Sequence, residues 1–189
     1  MPLNLPNLLT WLRIVLIPLF VGIFYFEGWV SEPNQNLVAT IIFTVAAITD
    51  WLDGWLARRL NQMSAFGAFL DPVADKLMVA AALITLVQLG RVDAIIALII
   101  IGREIAISAL REWMAQIGAG KSVAVSFLGK IKTVSQMAAI PLLLYHDRIG
   151  AFSPKQLGTW LIYLAAVLTL VSMAYYLKVA LPQAWRKPS

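Results

Sequence analysis

Residues 50–75 read DWLDGWLARRLNQMSAFGAFLDPVAD, four aspartates set in a stretch dominated by apolar side chains. Carboxylates at membrane depth are costly, and where they occur they are tied to function. Asp50 and Asp53 are three residues apart and Asp71 and Asp75 four apart, so each pair shares one face of a helix. Four acids brought together repel one another unless cations hold them. Two helices aiming paired carboxylates at each other form an oxygen-lined site suited to a hard divalent ion.

The surrounding composition says where such a site lives. The chain is 60% hydrophobic and 13% charged, with mean hydropathy +0.79, too apolar for an ordinary soluble domain of this length. It reads as an all-α integral membrane protein forming one domain over residues 1–189. There is no Cys, which excludes disulfides and thiolate metal sites. The lone His146 lies beside Asp147 and Arg148 and reads as a solvated loop histidine.

Length and flanking breakers give six transmembrane segments, at about 8–26, 37–60, 65–89, 93–117, 130–145 and 157–181. The stretch from Glu27 to Asn36 is read as a polar connection. Ser64 is a candidate N-cap for the third segment, which is expected to run through Pro72 rather than start there. The first segment has no basic lead-in before Arg13 and no small-x-small cleavage pattern, so it reads as a retained span. With both termini inside, twelve Lys and Arg fall on the cytoplasmic side, against Arg91, Arg148 and Lys155 outside. The aspartate cluster then opens toward the cytoplasm.

Basic residues concentrate in a second region. Arg103 and Glu104 interrupt the apolar run IIALIIIGREIAISAL, and Arg111 lies eight residues on, about two turns along the same face. With Lys121, Lys130 and Lys132 they suggest an anion pocket suited to phosphate. The blander reading is a neutralised Arg103–Glu104 pair plus ordinary positive-inside charges. Asn7, Thr10 and Arg13 recur at three-residue spacing, a polar stripe that either meets the cavity or snorkels at the interface.

The pattern D-x-x-D-G-x-x-A-R, eight residues, G-x-x-x-D-x-x-x-D resembles the signature of the CDP-alcohol phosphotransferases. It is carried by Asp50, Asp53, Gly54, Ala57, Arg58, Gly67, Asp71 and Asp75, with no departure at a motif position. The stretches NLPNLLTWLRIVLIP, GREIAISALREWMA and SVAVSFLGKIKTVSQM extend the likeness over most of the chain, and the last segment carries little of it. The resemblance implies transfer of a phosphatidyl group from CDP-diacylglycerol to an alcohol, with release of CMP. The wider context resembles members whose acceptor is sn-glycerol 3-phosphate. By position, Asp50, Asp53 and Asp71 would hold two ions of Mg²⁺ or Mn²⁺. Asp75 would take the acceptor proton and also contact metal.

The same resemblance places the donor against Asp50, Asp53, Gly54, Ala57, Arg58, Gly67 and Asp71. The acceptor phosphate would fall to Arg111 and Lys132 first, then Arg103 and Lys130, with Lys76 and Lys121 weaker. It further implies a bacterial cytoplasmic (inner) membrane protein, a homodimer, with lipid partners and no nucleic acid. Competing readings are a relative using another alcohol, as in cardiolipin or phosphatidylinositol phosphate synthesis, and a membrane prenyltransferase. The non-enzymatic competitor is a divalent-cation transporter. The basic cluster argues against serine or free inositol as acceptor.

Overall fold

A computed structural model describes residues 5–25, 30–60, 65–117 and 127–184. Six helices account for nearly all of them: α1 (Leu5–Gly22), α2 (Glu32–Leu60), α3 (Ala65–Gln88), α4 (Ala94–Gln116), α5 (Phe127–Tyr145) and α6 (Pro154–Ala184). A single 3-10 turn, Ile23–Tyr25, follows α1. No strand occurs among the described residues. Ser64 and Lys121 lie outside the described set.

Four helices, α1, α2, α5 and α6, begin three to five residues earlier than apolarity alone suggested. α2 starts at Glu32 rather than near Leu37, because Ser31, Glu32 and Pro33 form a favourable aqueous first turn. The Ser31 carbonyl accepts from the Gln35 amide at 3.0 Å, an acid faces the positive helix end, and proline's missing N–H is harmless there. α6 likewise starts at Pro154, with Ser153 Oγ accepting from the Gln156 amide at 3.4 Å. Asp93 caps α4, its carboxylate accepting from the Ile95 amide at 2.7 Å. The long form of the third segment is correct: α3 runs through Pro72.

Helix ends follow equally local rules. Past α3, Gly90 takes a left-handed φ of 66°. Its amide bonds the Val87 carbonyl, and the Arg91 amide reaches back to Leu86 at 2.8 Å. That is the Schellman closure, which glycine permits without strain. α5 ends with His146 at φ 59°, its amide donating to the Leu142 carbonyl.

The main core joins Phe20, Phe43, Leu83, Ile100, Ile140 and Ile162 from all six helices. A smaller cluster of Ile107, Met114, Tyr176 and Ala180 fastens α4 to α6. α5 and α6 approach closely where Gly158 meets Leu142 and Leu143. The outside is as apolar as the inside: Leu98 is 70% exposed, Val134 69% and Trp160 76%. An apolar exterior over this many helices suits lipid rather than water. Among the described residues, two helical stretches, Leu8–Tyr25 and Pro154–Leu181, are long and apolar enough by composition to cross a bilayer. The other four helices each carry charged residues along part of their length.

Candidate active site

α1 presents Thr10, Arg13 and Phe20 on one buried face, at spacings of three and seven, and Phe24 in the following 3-10 turn continues it. The apolar half of that face enters the core. The polar half meets the aspartates. Arg13 Nη1 lies 2.6 Å from Asp50 Oδ1, with Arg13 1% and Asp50 41% exposed. Thr10 Oγ1 donates to Asp71 Oδ1. Asp75 lines a small cavity with Arg13, Ala46, Ala47 and Met78, and it feels the charges of both Asp50 and Arg13. Thus α2 and α3 bring Asp50, Asp71 and Asp75 to one end of the bundle, around α1. Thr10 and Arg13 line this site rather than snorkelling away from it.

Gly67 is buried on α3, one turn before Asp71. Asp53, Gly54, Ala57 and Arg58 lie in the last turns of α2, and their side chains, like that of Asn7, fall outside the described set. Among the described residues no three acidic or histidine groups stand close enough together to hold a metal ion. The donor chemistry nonetheless fits a hard divalent ion: every candidate ligand is a carboxylate oxygen, and Cys is absent. Arg13 against Asp50 shows that these carboxylates accept a cation.

The basic half of the site is built by α4, α5 and α6. Lys132 belongs to the buried face of α5 with Gly129, Gln136 and Ala139, and is itself 1% exposed. Its ammonium donates to Glu104 Oε1. Arg103 Nη1 lies 3.5 Å from the same carboxylate oxygen, and its Nη2 reaches Ser172 Oγ on α6 at 3.4 Å. Arg103 and Arg111 both stack on Tyr176, their guanidinium carbons 5.7 and 5.5 Å from the ring centroid. Arg111 also donates to the Tyr176 hydroxyl at 3.3 Å. The two arginines do share one face, as their spacing required.

The two halves adjoin. Asp75 lies within electrostatic reach of Glu104, Lys76 and Lys132. Lys130 is exposed, two residues off the buried face that carries Lys132. The bland reading of Arg103 and Glu104 is therefore half right: they do pair, but Lys132 shares the carboxylate. Ser172 and Tyr176 escaped the sequence reading because α6 carries no motif and an aromatic in an apolar helix looks like core.

A family model for CDP-alcohol phosphatidyltransferases matches residues 3–171. The chain belongs to the CDP-alcohol phosphatidyltransferase family. Three curated relatives, from Salmonella typhi, Shigella flexneri and Escherichia coli, are 49% identical to it over 183, 182 and 182 residues. Each alignment covers 95% of this chain and 96% of the relative. All three bear the name CDP-diacylglycerol–glycerol-3-phosphate 3-phosphatidyltransferase. CDP-alcohol phosphatidyltransferases generally work with divalent metal ions and act at membranes, which agrees with the oxygen-only donor set and the apolar exterior.

Proposed function

We propose that this chain transfers the phosphatidyl group of CDP-diacylglycerol to sn-glycerol 3-phosphate, yielding phosphatidylglycerophosphate and CMP. One observation carries the reading beyond the family: Lys132, joined through Glu104 to Arg103 and across Tyr176 to Arg111, lies within electrostatic reach of Asp75. An acceptor bearing a phosphate needs such a group next to the carboxylate that takes its proton. A neutral alcohol does not.

In this scheme Asp50, Asp53, Asp71 and Asp75 hold two divalent ions, Mg²⁺ or Mn²⁺. When bound, the metal neutralises the donor diphosphate and favours departure of CMP. The chain's own residues do the rest. Arg111, Lys132 and Arg103 fix the acceptor phosphate, with Lys130, Lys76 and Lys121 in supporting positions. Asp75 receives the proton of the acceptor hydroxyl as its oxygen bonds to the phosphatidyl phosphorus and the bond to CMP breaks. Gly54, Ala57 and Gly67 leave room for the nucleotide to approach backbone, and Arg58 holds a donor phosphate.

The setting proposed is six membrane spans with both termini inside, the site opening to the cytoplasm of a bacterial inner membrane, and a homodimer. The test is CMP release by purified protein given CDP-diacylglycerol, Mg²⁺ and a panel of alcohols. Glycerol phosphate is expected to be the preferred acceptor. Preference for inositol phosphate or phosphatidylglycerol would move the chain to another branch of the family.

A further inference from the structure

Glu104 contributes negative charge to the half of the site that collects cations. Its carboxylate takes the Lys132 ammonium and stands 3.5 Å from Arg103. Yet Arg103 is not fully satisfied: its Nε is buried without a hydrogen-bond partner among the described residues. The cluster therefore keeps one buried donor in reserve. Its charge is equally informative. Arg103, Arg111 and Lys132 give three positive charges and Glu104 one negative, leaving two, while Asp75 on α3 lies within electrostatic reach of Lys132. A phosphate monoester carries about −1.5 to −2 at neutral pH.

The partners also differ in freedom. Lys132 is 1% exposed and locked in the bundle, whereas Glu104 is 25% exposed. The carboxylate has room to move toward the open side, and the ammonium does not. We propose that Glu104 is a built-in counter-anion: without acceptor it occupies Lys132, and a phosphate monoester binds by displacing it. This rests on the reading that Arg103, Arg111 and Lys132 receive the acceptor phosphate.

Two consequences follow from self-competition. Affinity for the acceptor is lower than the cations alone would give. Selectivity is higher, because an uncharged alcohol cannot displace a carboxylate from an ammonium. Glu104 thus sets which acceptors are admitted, through Lys132 rather than by touching the reacting atoms.

The experiment compares Glu104→Gln and Lys132→Met with the parent enzyme. It measures the KM for glycerol phosphate and the inhibition constant of inorganic phosphate. Gln keeps the shape and an acceptor oxygen but removes the charge. Glu104→Gln is expected to lower both constants, on the order of tenfold for the loss of one competing charge-assisted bond. Lys132→Met should raise both by a similar factor. A purely structural Glu104 would raise the KM on substitution, because Lys132 would lose its support.

An unchanged or raised KM in Glu104→Gln, with Lys132→Met still impaired, overturns the competition and leaves the acceptor pocket standing. An unchanged KM in Lys132→Met defeats the pocket itself, and the proposal with it. Glu104→Asp keeps the charge on a shorter stem and should fall between the parent and Glu104→Gln. If the glutamine variant does not fold, that intermediate KM supports the proposal, and a KM at or above the parent's overturns it.

Discussion

Arg13 and Lys132 are the two cations this fold buries most deeply among its described residues, each 1% exposed. A buried charge is tolerated only when paired, and each of these sits on a carboxylate, Asp50 and Glu104 respectively. Between the two pairs lies Asp75, in reach of both. In the proposed scheme, that placement would set it against the acceptor hydroxyl. Asp75→Asn preserves shape and removes the basic oxygen, so turnover measured as CMP release should fall about 10²- to 10⁴-fold. Donor binding, followed by equilibrium titration with CDP-diacylglycerol, should survive. A chelator should abolish CMP release in the parent enzyme, and added Mg²⁺ should restore it.

At the scale of elements, α5 and α6 share the most extensive helix contact among the described residues, and a glycine lets them approach. A Cβ at Gly158 would stand 2.8 Å from Leu143 Cγ and 3.2 Å from Leu142 Cβ. Gly158→Ala should therefore destabilise the bundle by about 1–3 kcal/mol through overpacking, read as a lower thermal midpoint in detergent. The end of α5 is also held from outside its own sequence. Arg91, in the turn after α3, donates to the Leu143 and Leu144 carbonyls at 3.2 and 2.7 Å and to Asn36 Oδ1 at 2.8 Å. It fills carbonyls that a helix terminus leaves open and ties three helices together.

His146 follows in this crowded turn. Burial first, and then the Arg91 guanidinium, push its imidazole below the ordinary value of 6.5. The fold therefore prefers the neutral ring, and the unfolded chain binds the proton more readily. Stability from this group is present above about pH 6.5 and is lost as pH falls below it. His146→Asn tolerates the left-handed backbone and removes the titration, so its thermal midpoint should depend less steeply on pH below that point.

Across the whole molecule, charge is segregated to the two ends of an apolar bundle. One end gathers Arg13, Asp50, Asp71, Asp75, Glu104 and Lys132, and the other gathers Glu32, Asn36, Arg91 and Asp147. In the proposed orientation, the excess of Lys and Arg at the first end faces the cytoplasm. Because the chain has no Cys, single cysteines report sidedness cleanly. An impermeant thiol reagent added outside intact cells should label Ile149→Cys and spare Gln62→Cys. The reverse pattern would invert the bundle.

The sequence by itself determined the helical class, the six helices of the described residues and the presence of closely spaced aspartates on two of them. Periodicity, hydropathy and carboxylate spacing are local properties of the chain, and each is legible without knowing what packs where. It also showed that Arg103 and Arg111 share a face. Helix starts were less legible: apolar length placed α2 near Leu37 and missed the polar first turn that Ser31, Glu32 and Pro33 supply.

Only the tertiary structure decided the partners. Nothing near Thr10 or Arg13 in the chain indicates that they meet Asp71 and Asp50. Nothing in the apolar run of α6 marks Tyr176 as the surface on which two arginines stack. In the sequence Arg91 is one of three charges assigned to the outer side, and in the fold its guanidinium caps α5. Each of these contacts joins residues far apart in sequence, and each depends on how helices are placed against one another. The residue types announce the chemistry; helix packing decides which charge answers which.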